Sequence, residues 1–147
     1  MPRQVSVIGS GAEHEQAAEE VGRLLAERGC VVVTGGLGEV MAAAHRGAKA
    51  AGGTTLAIVP GESRDEANPW ADHVVVTGIG HARNLAVAAS GDGVVAVGGS
   101  WGTLAEIAFA MRLGRPVVVL GGPAVEGVPR VASPAAAVDA VLGALGS

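Results

Sequence analysis

Each short β-branched run in this chain leads directly into a glycine or proline turn, and that pattern leaves few folds open. The runs lie at residues 5–8, 31–34, 54–59, 74–77, 94–97 and 117–120. Being apolar on both faces, they read as buried strands of a parallel sheet. Between them, residues 13–28 place Ala17, Val21, Leu24 and Leu25 at helical spacing, with charges on the other face. Residues 40–51, 82–90, 104–113 and 134–145 are also compatible with helix. The order β-α-β-α-β-β-α-β-α-β-α predicts a Rossmann-like, doubly wound α/β fold with a mostly parallel sheet and helices on both faces. At 147 residues, a single domain over 1–147 is expected. Ligands of such sheets bind at the carboxyl ends of the strands, where this chain concentrates its glycines.

Composition removes several classes of function. Ten basic and fourteen acidic side chains give a net charge of −4, which provides no field to hold a nucleic-acid backbone. The uncharged stretch between Asp92 and Glu106 is too short to span a bilayer, so no membrane partner is expected. The opening residues read as a first strand rather than a secretory leader, and a cytoplasmic location is expected. A lone Cys30 and four scattered histidines show no metal-ligand spacing, so neither metal nor cofactor is expected. Lys49 is the only lysine and follows Ala48, which excludes a Walker phosphate loop and weighs heavily against a pyridoxal Schiff base. The run Gly9-Ser10-Gly11-Ala12-Glu13-His14 begins like a dinucleotide fingerprint but has His14 at its third small position. The second strand then ends in Thr34-Gly35-Gly36, with no acidic residue to hold a ribose diol, so a nicotinamide dinucleotide is not expected.

What remains is a rim offering backbone N–H groups and helix amino-termini to one anionic group, most economically a phosphate. The candidate cradle residues are Gly9, Ser10, Gly35, Gly36, Gly38, Thr77, Gly78, Gly99, Ser100 and Gly102. Arg83 and Asn84 fall in the first turn after the fourth strand, where an arginine fork suits phosphate; a surface ion pair would explain Arg83 equally well. Thr103 and Glu106 have the spacing of a capping box, yet a carboxylate beside a phosphate turn is also placed to act on the attached sugar. Ser10 and Glu13 repeat that spacing, and there capping is expected. Trp101 offers a flat wall for a base, or a core or interface residue. Glu39, at the mouth of the second loop, reads as a solvated helix-start charge. Residues 60–72 form a polar loop that suits either a lid or an oligomer contact through Trp70. Residues 121–133 read as another loop, and Ser133-Pro134 as the start of the last helix.

The second loop with Met41 (Gly-Gly-Leu-Gly-Glu-Val-Met), the Ala82-Arg83-Asn84 turn and the Gly-x-Gly-Thr-x-x-Glu run together resemble the LOG-like proteins, often misnamed lysine decarboxylases. The resemblance covers residues 5 to 120 and is to a small branch of the SLOG superfamily. It implies a site for a nucleoside 5′-monophosphate in which Gly99, Gly102, Thr103, Glu106 and Arg83 match the family pattern. It also implies hydrolysis of the N-glycosidic bond to free base and ribose 5-phosphate, with Glu106 and Arg83 as the catalytic pair. Gly98 stands where the family motif has proline, Ser100 stands at its second glycine, and Asn84 replaces a lysine. These departures keep a second expectation open: a non-catalytic protein that binds or carries a nucleotide or other phosphate ligand, such as a molybdenum-cofactor carrier. A homodimer or larger homo-oligomer is implied in either case.

Overall fold

The computed structural model describes residues 1–146. Its strands are β1 (Gln4–Ser10), β2 (Val31–Thr34), β3 (Thr55–Val59), β4 (His73–Val76), β5 (Gly93–Gly98), β6 (Val117–Leu120) and β7 (Arg130–Val131). The helices are α1 (Glu15–Glu27), α2 (Val40–Ala50), α3 (Arg83–Ser90), α4 (Trp101–Arg112) and α5 (Pro134–Leu145). All seven strands join one sheet in the order β4-β3-β2-β1-β5-β6-β7, and every pairing is parallel. This is the Rossmann-like architecture expected from the sequence.

Two-residue alternation divides the sheet into two cores. Val5 and Val7 face α1, α2 and α5, together with Val32, Val95, Val97, Val118 and Leu120. Ile8, Val33, Ile58, Val94, Ala96 and Val119 face the opposite way and pack with residues of α3 and α4. A fully buried valine contributes about 1.5–3 kcal/mol, so these runs drive assembly of the sheet. From β1 the chain winds outward through β2 and β3 to β4, then returns to β5 and winds the other way. The crevice between β1 and β5 is therefore the topological switch point, where ligands of open α/β sheets bind.

Three details differ from the sequence expectations. β7 falls within the loop read at 121–133: Arg130 pairs with Val119 and Val131 with Leu120. α4 begins at Trp101, three residues before its expected start, with Ser100 as N-cap. Thr103 therefore lies inside the helix and accepts from the Ser100 N–H at 3.3 Å, so Glu106 takes no part in a capping box. Ser10 is likewise the last residue of β1; the short 3-10 turn Ala12–His14 follows Gly11 and has no side-chain cap. Ser133 caps α5 as expected, accepting from the Ala136 N–H at 3.1 Å.

Candidate functional site

β1, β2, α3 and α4 converge on a cavity of about 130 Å³ at the switch point. It is lined by Ile8, Gly9 and Ser10 from β1, Gly35 just after β2, Met41 of α2, Arg83 and Asn84 of α3, and Ser100, Gly102, Thr103 and Glu106 at the start of α4. The starts of α3 and α4 thus bring the candidate arginine, amide, threonine and carboxylate to one place.

Arg83 is the first residue of α3 and only 7% exposed. Its guanidinium donates to Asn84 Oδ1 and, at 3.4 Å, to the Gly35 carbonyl. Nε is buried without a partner, and no carboxylate forms an ion pair with Arg83 among the described residues. The surface ion pair considered for this residue is therefore not formed. Burial lowers the guanidinium pKa below its ordinary value, while the charges of Glu106 and Glu66 act in the opposite sense. A buried cation without a paired anion is costly, which marks this pocket as one suited to an anion from outside the chain.

The amino-terminus of α4 supplies complementary donors. Its first intrahelical bond from the end runs from Leu104 N–H to the Ser100 carbonyl at 3.1 Å, so the amides of Trp101 and Gly102 precede the regular ladder. These amides and the helix dipole favour negative charge at this end. The preceding turn depends on Gly98, at φ +63, and Gly99, at φ +142. Proline holds φ near −65°, so the residue that the LOG-like motif has at position 98 is incompatible with this turn. A Cβ at Gly98 would also lie 2.2 Å from His14 Cδ2 and 2.6 Å from the Ser10 carbonyl oxygen.

One turn into α4, Glu106 forms part of the cavity wall. Burial pushes its carboxyl up to about 7, with the Arg83 charge pulling the other way. The group thus titrates near neutrality, where it can hold or release a proton.

The remaining candidates sit farther out. Gly36 N–H donates to Thr34 Oγ1 at 2.9 Å, shaping the second loop, and neither Gly36 nor Gly38 lines the cavity. Thr77 Oγ1 donates to the Val59 carbonyl at 2.8 Å, and Gly78 N–H to that of Gly61 at 2.8 Å, so both serve the β4 connection. Gly99 packs behind Thr103, and Trp101 is 86% exposed, its ring outside the cavity wall. Glu39 adopts φ 53, a sparsely populated conformation for a side-chain-bearing residue, and accepts from the Gly11 N–H at 3.4 Å.

The 60–72 loop is strapped down within the chain. Asn68 donates to the Gly36 and Leu37 carbonyls, Asp72 accepts from Lys49 and from the Thr55 N–H, and Arg46 stacks over Trp70 at 5.2 Å. Glu66, in this loop, is near enough to influence Arg83; no motif in the sequence pointed to it.

The match to known proteins spans this whole arrangement. A model described as the SLOG cluster4 family covers residues 2–141. The chain belongs to that family. An uncharacterized protein of Archaeoglobus fulgidus is 43% identical over 140 residues, covering 92% of both chains. Among solved structures, the molybdenum cofactor carrier protein of Chlamydomonas reinhardtii aligns at a TM-score of 0.89 and 35% identity, covering 99% of this chain and 98% of that one. The molybdenum cofactor binding protein of Rippkaea orientalis aligns at 0.87 and 32%, covering 92% of each chain. This SLOG cluster4 protein thus aligns over most of its length with proteins named for binding or carrying a molybdenum cofactor.

Proposed function

We propose that this protein binds and carries a phosphate-bearing heterocyclic small molecule, of the kind the molybdenum cofactor exemplifies, without cleaving it. The observation that carries this reading is Arg83: a buried guanidinium, unpaired by any described carboxylate, opening onto a cavity that also receives the amino-terminus of α4. A bound phosphate would accept from the arginine and the helix amides together. The names of the Chlamydomonas and Rippkaea relatives support a carrier. The net charge of −4 argues against a nucleic-acid ligand, and a cytoplasmic place fits this reading. No helix among the described residues is long and apolar enough to cross a membrane.

A second reading, hydrolysis of a nucleoside 5′-monophosphate to free base and ribose 5-phosphate, is favoured by one observation: a Glu106 carboxyl titrating near 7. Its weakness is that, among the described residues, Glu106 is the only carboxylate lining the cavity, with no second one beside it to share the acid and base roles.

Thermal unfolding and chromatography separate the two. Inorganic phosphate and a panel of purine and pyrimidine 5′-monophosphates are expected to raise the unfolding temperature of the parent, consistent with about 2.7 kcal/mol at a hundred times Kd. Arg83→Ala is expected to lose that rise, and no free base is expected to form. Release of base by the parent, absent in Glu106→Gln, would establish the hydrolase instead.

We also infer a homo-oligomer, because α4 is apolar on both sides. Ile107 and Ala110 point into the core, while Trp101, Ala105, Ala108 and Met111 are exposed along the other side.

A further inference from the structure

Arg83 and Glu106 line one small cavity without pairing. The guanidinium donates to Asn84 Oδ1 and to the Gly35 carbonyl, and no ion pair joins it to Glu106 among the described residues. Each nevertheless feels the other's charge, so the two face a common space rather than separate ones. At about 130 Å³ that space takes a single anionic group, and a phosphate held by Arg83 lies against Glu106 as well.

The surroundings of Glu106 decide what this contact requires. β1 contributes Val7, Ile8, Gly9 and Ser10 to the cavity wall, and α2 contributes Met41. None of these carries a charge. α3 contributes Arg83 beside neutral Asn84, and the start of α4 adds only neutral groups to Glu106 itself. Glu66, in the 60–72 loop, acts on Arg83 without lining the wall. A guanidinium offsets a single negative charge, so a phosphate dianion and an ionised Glu106 together would leave the space strongly negative even with the α4 dipole. A protonated Glu106 removes the repulsion and turns the carboxyl into an O–H donor. Burial, which pushes this carboxyl up to about 7, supports the protonated form.

We propose that the phosphate is bound together with a proton: Glu106 takes the proton up from solvent as the ligand enters and donates the resulting O–H to a phosphate oxygen turned away from Arg83. This rests on the phosphate-binding reading above. The competing role for Glu106, an ionised carboxylate accepting from a sugar hydroxyl, takes up no proton.

Isothermal titration with ribose 5-phosphate at pH 8, in buffers of different ionisation enthalpy, counts the protons bound. A phosphate monoester is dianionic at that pH, its second pKa being about 6, so it brings no proton of its own. The parent is expected to take up about one proton per ligand and to lose affinity at least about tenfold between pH 7 and pH 9. Glu106→Gln, whose amide donates without ionising, is expected to take up none and to bind at least about tenfold more tightly than the parent at pH 9. Glu106→Met keeps the volume, has no group to titrate, and is likewise expected to take up none. Binding by the parent without proton uptake, or an uptake that persists in either variant, would overturn the shared proton while leaving phosphate binding intact. A parent that binds ribose 5-phosphate at neither pH 7 nor pH 8 would overturn the proposed function itself.

Discussion

Glu106 lies one turn inside α4, in a cavity whose other walls carry N–H donors and a guanidinium. Its folded-state pKa of about 7 lies above the ordinary value of 4.5, so the folded state holds the proton more tightly than the unfolded chain does. Stability from this group is complete below the unfolded value and is lost as pH rises through the folded one. At 1.36 kcal/mol per unit, the full loss is about 3 kcal/mol. Buried His45 acts in the opposite sense: desolvation lowers its pKa to about 4, so its contribution is present above 6.5 and fades as pH falls. Comparing Glu106→Gln with the parent cancels His45, because both proteins carry it. The stability gap in favour of Glu106→Gln is expected to widen by about 2–3 kcal/mol from pH 5 to pH 8, read from urea denaturation at each pH. A gap independent of pH would show that Glu106 ionises normally.

Among the helices, α1 and α2 approach at two glycines. A methyl at Gly47 would lie 1.9 Å from the Glu19 carbonyl oxygen, and one at Gly22 would lie 2.0 Å from that of Ala44. Alanine gains up to about 1 kcal/mol in helix propensity over glycine. The clash is with backbone, however, so separation of the helices dominates, at about 1–3 kcal/mol. Gly47→Ala is accordingly expected to be destabilised on balance, with a lower urea midpoint. The glycines were visible in the sequence, but their pairing was not, because it depends on the crossing of two helices. Strands β1 to β6 were legible because each is a compact apolar run ending at a turn. β7 was not, because two residues between Pro129 and Ser133 carry no periodicity and are held only by register with β6. Ser100 and Gly102 read as turn residues, which displaced the start of α4 and left a cap open as one of two readings of Glu106. Arg83 was legible as a candidate phosphate ligand by type and position. Its bond to the Gly35 carbonyl, across 48 residues, has no local signature, and neither does Glu66. His14 registered only as a failure of the dinucleotide fingerprint, whereas in the fold it packs against Gly98 at the switch point.

For the molecule as a whole, exposed Leu85 on α3, which packs against α4, adds to the exposed side of α4, and Leu113 lies just beyond the end of α4. Burying such a stripe against a second copy would remove it from water. The parent is expected to run as an oligomer in light-scattering chromatography at micromolar concentration, and Met111→Glu to weaken association at least tenfold. A monomeric parent would remove the inferred assembly. At the far edge of the sheet, the connection from β3 to β4 contains no α-helix, and Val75 and Val76 of β4 remain exposed. Arg83 lies a few residues beyond this strand, yet its guanidinium reaches Gly35 at the end of β2, bridging over β3. An anion gripped by Arg83, as proposed, would therefore also tie the outermost strand to the middle of the sheet. By thermodynamic linkage, the work needed to peel that edge away and the work needed to release such a ligand would draw on the same free energy, and an empty molecule would be looser at one border than a loaded one.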